Sequence, residues 1–299
     1  MPIPESQLQT WANPYDTEAA RNGHKAVRRA FELHRSVPWL SSIHDYLQGS
    51  YRNSTSIWRD ADVDLVVEWT SACWSDISQL SEPEQAAWQR DFSPSAYSFE
   101  TFRADVIDAL NHHFKPNMVD TTGNKAVRVL GTGTDRLHTD VLICFGYRRY
   151  ISYQPGRIAY HAGVAFLTQR EQQLISNFPK QHIDNGQAKN QATNEWYKRT
   201  VRQFKNARNR AVEAGLLADE AAPSYFIECL LYNVPNDRFG GGYRANFSDV
   251  LDWLEANSLW KCTTQNGLEW LFTADGSQWD HGKAQALIGA LQRLDREWL

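Results

Sequence analysis

The sequence has few cysteines, and they are far apart. Its 299 residues include only four, Cys73, Cys144, Cys229 and Cys262, and no two of them form a CxxC pair. Structural zinc sites are usually built on such pairs, and disulfide-stapled domains are much richer in cysteine. The sequence therefore predicts neither a zinc site nor a disulfide framework, and it suits the reducing cytosol.

A long apolar run and an excess of positive charge are also missing. No segment reaches the roughly 20 apolar residues that span a membrane, and Met1-Pro2-Ile3-Pro4 is not typical of a signal peptide. The formal net charge is −4, whereas proteins that bind long nucleic acids usually carry a basic field. We expect a soluble, cytoplasmic protein that does not bind membranes and whose main partner is not a nucleic-acid polymer.

The composition, with 42% hydrophobic and 22% charged residues, is that of a globular protein. A chain of 299 residues is long for one core and suits two lobes. Strand-like segments lie in the first part of the chain, and helical spacing dominates from about residue 180. We predict an α+β fold, with a mixed sheet and helices over residues 1–175 and a helical lobe over residues 176–299. The active site is expected in the cleft between them.

Apolar spacing, prolines and capping residues locate the individual elements. A long amphipathic helix is expected over residues 16–36, ended by Ser36 to Pro38, and another helix begins near Ser81-Glu82-Pro83. Strands are predicted at 62–67, 125–130 and 140–147. Further helices are predicted at 99–110, at 197–211 with Gly215 behind it, from Pro223-Ser224 onwards, at 247–254, and at 286–294 with Asp280 as its cap.

The segment from Gln48 to Glu68 combines a Gly-Ser pair with two acids on a predicted strand. Asp62 and Asp64 are two positions apart, so their side chains leave the same face of the strand. Neighbouring carboxylates repel each other unless a cation neutralises them, and Mg²⁺ suits such oxygen ligands together with substrate phosphates. The Gly49-Ser50 pair provides a turn whose backbone N–H groups can approach a phosphate. The alternative is a solvated strand edge with no ligand.

Two other charged features have a structural and a functional interpretation. Asp140 begins an apolar strand, where it is either a cap or a third metal ligand beside the first two acids. The segment from Lys198 to Arg210 has six basic residues and no acid, so it is either an ordinary solvated helix face or an anion contact. Ser224 could likewise be only the N-cap of its helix.

Several motifs together resemble a known family. They are Gln48-Gly49-Ser50-Tyr51-x-Asn53-x-Thr55, Asp62-x-Asp64, Asp140-Val141, Tyr147 to Tyr150, Asn177 to Lys198, Phe204 to Arg208 and Ala222 to Pro235. In this order and spacing they resemble the polymerase-β-type nucleotidyltransferases, and among these the bacterial relatives of cyclic GMP-AMP synthase, the CD-NTases of the CdnE-like clade. The resemblance covers nearly the whole chain.

The resemblance implies roles for individual residues. Asp62, Asp64 and Asp140 would be catalytic and would hold two Mg²⁺ ions, with Mn²⁺ as an alternative. Nucleotide-binding residues would be Gln48, Gly49, Ser50, Asn177, Lys205, Ser224 and Tyr225. Ser50 and Lys205 would grip the donor triphosphate, Ser224 would contact phosphate, Tyr225 would stack on a base, and Asn177 would read a uracil edge. Asn177 could instead be a satisfied loop residue.

The implied activity is the synthesis of a cyclic di- or oligonucleotide from nucleoside triphosphates, with UTP and ATP as expected substrates. The product would activate a separate effector in anti-phage signalling (CBASS). No Cys/His cluster of metal-ligand spacing occurs in the helical part, so activation by double-stranded DNA is not expected, and the chain is expected to be a monomer.

Two rival hypotheses keep the fold: nucleotide transfer to RNA or protein, and a non-catalytic nucleotide sensor. Three retained carboxylates count against the sensor, because a scaffold has no use for repulsive acids. The sequence leaves open which two nucleotides are joined, the linkage isomer, the ring size, the activation trigger, the cognate effector and the oligomeric state.

Overall fold

The chain packs into two compact units. The structure is a computed structural model that describes residues 1–15, 18–34, 42–58, 62–95, 97–133, 135–273 and 278–298. The sheet unit comprises Thr17–Gln48 and Asp62–Pro179, and the helical unit comprises Met1–Asp16, Gly49–Ala61 and Lys180–Leu299. Each unit is thus assembled from separate stretches of chain. The division of functions between residues 1–175 and 176–299 stays a prediction.

A mixed seven-stranded sheet forms the centre of the sheet unit. Its strands are β1 (Ile43–Gln48), β2 (Val63–Asp76), β3 (Val119–Asp120), β4 (Val127–Val129), β5 (Thr139–Gln154), β6 (Arg157–Leu167) and β7 (Leu174–Asn177). The order is β1-β2-β5-β4-β3, and β6 pairs with β5 and β7. Only β2 and β5 run parallel among these pairs of described strands. The predicted α+β class is confirmed.

The predicted strands are all present, but two of them are longer than expected. β2 continues to Asp76, and β5 continues to Gln154. The second half of β2 is polar and half-buried, so it lacks the alternation that marks a strand in sequence, and its pairing with Gly146 to Arg149 of β5 holds it extended. β1, β3, β6 and β7 were not predicted: β1, β3 and β7 are short with mostly half-buried side chains, and the first seven residues of β6 are exposed or half-buried.

Three helices accompany the sheet: α2 (Glu18–Leu33), α4 (Glu82–Asp91) and α5 (Phe99–His113). α2 lies within the predicted helix 16–36, whose first two residues and whose end at Ser36 to Pro38 lie outside the described residues. α4 begins as predicted, with Ser81 and Glu84 forming a capping box. Phe31 of α2 and Phe102 of α5 share one buried cluster with the strand residues Leu65 and Val141.

The helical unit contains α1 (Glu5–Trp11), α3 (Gly49–Asn53), α6 (Pro179–Ala192, starting at the unit boundary), α7 (Trp196–Glu213), α8 (Ser224–Tyr232), α9 (Tyr243–Ala256) and α10 (His281–Arg296). The four predicted C-terminal helices are confirmed, and Asp280 caps α10 by accepting from Lys283 N. Phe204, Phe226, Phe247 and Leu291 lie in one buried core cluster. Ser224 is not an N-cap, because Pro223 occupies that position.

Buried Glu228 joins three segments of the helical unit. Its carboxylate accepts from Lys205 Nζ at 2.6 Å and Thr55 Oγ1 at 2.6 Å, and from Asn53 Nδ2 and His182 Nε2 at 3.1 Å each. The Glu228 and Lys205 side chains are 5% and 1% exposed, so solvent does not screen the pair. Burial alone would raise the pKa of Glu228, but Lys205 and His182 outweigh it and hold this pKa well below its usual 4.5.

Gly163 of β6 allows β7 to approach closely. A Cβ at this position would lie 2.5 Å from the backbone oxygen of Asn177 and 2.9 Å from the ring of Phe178. Because the first of these atoms is backbone, it cannot rotate away. Gly163 therefore fixes where β7, and with it Asn177, lies on the sheet.

Gly163→Ala should lower the free energy of unfolding by about 1–3 kcal/mol, because the added methyl overpacks the β6–β7 contact. The matched control is Gly289→Ala in α10, where a Cβ would have no neighbour within 4 Å among the described residues. This control should raise stability by about 0.5–1 kcal/mol. Urea unfolding followed by circular dichroism measures both, and equal stabilities would contradict the packing argument.

Glu228→Gln should cost about 3–5 kcal/mol at pH 7, because it leaves the buried Lys205 ammonium without its counter-charge. Since the folded pKa of Glu228 lies below 4.5, its contribution is present above pH 4.5 and is lost as pH falls further. The free energies of unfolding of wild type and variant should therefore approach each other as the pH falls below 4.5. The control Glu213→Gln removes an i,i+3 surface pair with Arg210 and should cost less than about 0.5 kcal/mol. A pH-independent difference would refute this account.

Candidate active site

Five polar residues form one row across the sheet. The strand registers pair Gln48 with Asp64, Asp64 with Asp140, Asp140 with Arg128, and Arg128 with Asp120. Residues at matching positions of neighbouring strands leave the same face. On β2, β4 and β5 the immediate neighbours of these residues are buried and serve the opposite face, as Leu65, Val127 and Val141 do. The alternation in each strand thus separates a polar row from an apolar core.

Two of the three predicted acids, Asp62 and Asp140, contact one shared cation, Arg128. Arg128 donates from Nε to Asp140 Oδ1 at 2.7 Å, and from Nη2 to Asp140 Oδ2 and Asp62 Oδ2 at 2.9 Å each. The hydrogen bonds to Asp140 raise the pKa of Arg128. The side chains of Arg128, Asp62 and Asp140 are 41%, 46% and 26% exposed, so the group is open to solvent on one side. The interpretation of Asp140 as only a cap does not account for these contacts.

The donor set suits a divalent cation. Asp62 and Asp140 already converge on one positive group, and Asp64 stands in register beside Asp140. The neighbouring Gln48 has a buried side-chain oxygen with no hydrogen-bond partner among the described residues. Hard cations such as Mg²⁺ prefer these carboxylate and carbonyl oxygens. The chemistry of these donors therefore suits the metal site that the sequence predicts, while the ligand roles themselves stay predictions.

Gly49 and Ser50 do not form the simple turn that the sequence suggested. They begin the short helix α3 directly after β1 along the chain, and Gly49 has φ of +65°, a conformation that glycine adopts without strain. The backbone oxygen of Ser50 accepts from Thr55 N at 2.9 Å. Since Thr55 also donates to Glu228, the segment that carries Ser50 is held by the buried carboxylate.

The basic stretch of α7 is not a solvated face. Arg202 is 6% exposed and donates to the backbone oxygens of Ala12 and Ser54, and burial lowers its pKa to about 10. Lys205 is fully buried and donates to Glu228 and to the backbone oxygen of Thr55 at 3.2 Å. The stretch does contact an anion, but the anion seen is a carboxylate of the protein itself.

Tyr225 has the geometry of a stacking platform. Its ring stacks on His182 with centroids 5.1 Å apart and an interplanar angle of 20°, while the residue remains 43% exposed. His182 in turn is fixed by Glu228. Ser224, the preceding residue, accepts from Arg208 Nη2 at 3.3 Å. His182 therefore supports one face of the ring, the Trp279 ring lies with its centroid 6.4 Å away, and the residue remains partly exposed.

Asn177 lies at the end of β7 and pairs in register with Val164 of β6. It belongs to the sheet unit, whereas Lys205, Ser224 and Tyr225 belong to the helical unit. It is a strand residue and not the loop residue that the sequence allowed. Its role in reading a base stays a prediction.

Sequence reasoning missed Arg128, Asp120 and Glu228. Arg128 lies between the buried Val127 and Val129, and this alternation did signal that its side chain faces away from the core. Nothing local indicated that its strand lies beside Asp140. Glu228 falls within the helix predicted from Pro223-Ser224 onwards, and an acid within the apolar segment Phe226 to Leu231 was the available signal.

No helix in the described parts of the chain is both long enough and apolar enough to span a membrane.

Comparison with known proteins identifies the family of the chain. Residues 184–295 match the cGAS/DncV-like nucleotidyltransferase C-terminal helical domain. The chain is 39% identical over 298 residues to the cyclic UMP-AMP synthase of Rhodothermus marinus, covering 100% of this chain and 99% of the relative.

A second relative, the cyclic nucleotide synthase CdnE01 of Staphylococcus haemolyticus, is 33% identical over 304 residues, with 100% of both chains covered. The solved structure of the R. marinus CdnE c-UMP-AMP synthase with Apcpp and Upnpp superposes with a TM-score of 0.87 at 38% identity, covering 99% of this chain and 98% of that one. The chain belongs to the cGAS/DncV-like nucleotidyltransferases, the CD-NTases, and within them to the CdnE-type cyclic nucleotide synthases.

Proposed function

We propose that this enzyme condenses nucleoside triphosphates into a uridine-containing cyclic dinucleotide, cyclic UMP-AMP or cyclic di-UMP. The observation that carries the proposal is the convergence of Asp62 and Asp140 on one cation, with Asp64 in register beside them. The full-length similarity to a cyclic UMP-AMP synthase, studied with Apcpp and Upnpp, supports UTP and ATP as substrates.

Asp62, Asp64 and Asp140 would hold two Mg²⁺ ions. When bound, such ions neutralise the charge that develops on the attacking and leaving oxygens of phosphoryl transfer. In each condensation a ribose hydroxyl attacks an α-phosphorus, the new P–O bond replaces the bond to pyrophosphate, and the hydroxyl proton leaves. We assign the acceptance of this proton to Asp140, whose position in the row lies between Asp64 and Arg128.

The helical unit would bind the nucleotide. Ser50 and Ser224 supply hydroxyl and backbone donors for phosphates, and Tyr225 supplies an exposed ring for stacking. Lys205 can contact the donor triphosphate only if its ammonium leaves Glu228. With Glu228 in place, Lys205 instead fixes the segment that carries Ser50, through Thr55.

The cellular setting follows from the same proposal. Nucleoside triphosphates are cytoplasmic metabolites, and the four cysteines are free, as a reducing compartment requires. We propose a cytoplasmic, monomeric enzyme whose product activates a separate effector in anti-phage defence. Product analysis separates this function from nucleotide transfer to RNA or protein, because only cyclisation gives a small phosphatase-resistant product.

The double variant Asp62→Asn with Asp64→Asn should abolish the cyclic product. Its stability in metal-free buffer should stay within about 1 kcal/mol of wild type, because relief of carboxylate repulsion offsets the loss of the exposed Arg128 contact. Purified protein is incubated with all four triphosphates and Mg²⁺, and products are identified by mass spectrometry. The control Asp249→Asn with Asp252→Asn removes two exposed acids of α9 and should keep full activity. Catalytic turnover by the Asp62→Asn, Asp64→Asn variant would show that other residues bind the metal.

Asn177→Ser should lower uridine incorporation relative to adenosine by about threefold to tenfold, the effect of losing one or two amide hydrogen bonds to the base edge. Competition assays with equal UTP and ATP measure the product ratio. Asn257→Ser, an exposed amide in the helical unit, serves as the control. An unchanged ratio in Asn177→Ser would show that this side chain does not read the base.

A further inference from the structure

Arg128 is placed where a catalytic cation would be expected. It sits on β4 between two buried valines, so its strand position is fixed by the core. Its guanidinium uses both oxygens of Asp140 and one oxygen of Asp62. The geometry is that of an arginine fork, which grips a carboxylate through two parallel hydrogen bonds and holds it in one orientation.

The guanidinium of Arg128 reduces the repulsion between carboxylates in the metal-free protein. Carboxylates on neighbouring strands repel each other and would otherwise turn apart into solvent. Arg128 neutralises part of this charge and keeps Asp62 and Asp140 pointing at a common centre. The same contacts also obstruct a metal ion, because the oxygens that accept from the guanidinium are those that a divalent cation would need.

A second carboxylate is available to receive the guanidinium. Asp120 on β3 is the register partner of Arg128 on the side opposite to Asp140. Asp120 itself accepts from Thr122 N at 2.8 Å and Thr122 Oγ1 at 2.7 Å, which fixes its carboxylate. A change of the Arg128 side-chain torsions could thus move its guanidinium from Asp140 to Asp120 without moving β4.

We propose that Arg128 is a positioning residue that takes the place of the divalent cation in the metal-free enzyme and transfers to Asp120 when metal binds. The proposal rests on the assignment of Asp62, Asp64 and Asp140 as metal ligands in the proposed function. It has two opposite consequences: Arg128 stabilises the metal-free site, and it weakens metal binding.

The test is Mn²⁺ binding to the full-length protein without nucleotide, read from the electron paramagnetic resonance signal of free Mn²⁺. Arg128→Gln should bind Mn²⁺ about tenfold more tightly than wild type, because no internal cation competes. Arg128→Lys keeps the charge but loses the fork, and should fall between the two. Lys125→Gln removes the same charge from an exposed position just before β4 and should change affinity less than about twofold.

Thermal unfolding supplies the second readout. In the presence of a chelator Arg128→Gln should melt below wild type, and saturating Mn²⁺ should remove most of that difference, since the metal replaces the missing guanidinium. A purely structural role of Arg128 would leave the melting difference unchanged by metal and would not tighten Mn²⁺ binding.

The outcomes separate the two proposals. Unchanged or weaker Mn²⁺ binding in Arg128→Gln, together with lost binding in the Asp62→Asn, Asp64→Asn variant, would overturn the role of Arg128 and leave the metal site standing. Equal Mn²⁺ binding by wild type and the double aspartate variant would overturn the metal site itself, and with it the role of Arg128.

Discussion

Repulsion between carboxylates on neighbouring strands is the constraint around which the sheet unit is arranged. The parallel pairing of β2 with β5 brings Asp64 and Asp140 side by side, and Asp62 precedes β2 by one residue. Three carboxylates this close together repel each other unless a cation lies between them. The structure supplies one from β4, the guanidinium of Arg128. In the proposed function these acids hold metal, and Arg128 keeps Asp62 and Asp140 together before the metal arrives.

The helical unit instead depends on a single buried acid, Glu228, which is surrounded by hydrogen-bond donors. Glu228 accepts from Lys205, His182, Thr55 and Asn53, and thereby joins α7, α6 and the segment after β1. A buried carboxylate with fewer partners would be costly, so each donor is needed. The same contacts hold the segment that carries Ser50 and the ring that supports Tyr225. Stability and the proposed nucleotide contacts therefore share one network.

Membership of the CdnE-type synthases fixes the reaction class more firmly than the base choice. Relatives at 30–39% identity include synthases named for cyclic UMP-AMP, dipurine and dipyrimidine products. Synthases of one family thus carry names for different bases, as expected when specificity depends on a few contacts to a base edge. Asn177 is the residue proposed for this contact, and Gly163 sets its position by admitting β7 close to β6.

Local patterns in the sequence determined the helices that begin at Ser81 and after Asp280, the apolar alternation that marks the start of β2, and the motifs that indicate the family. These features depend on neighbours within a few residues, so they can be recognised without the fold. Tertiary structure alone decided that Arg128 lies against Asp140, that Gln48 and Asp120 extend their row, and that Lys205 is buried against Glu228. Strand register and burial depend on residues far apart in the chain, and no local pattern encodes them.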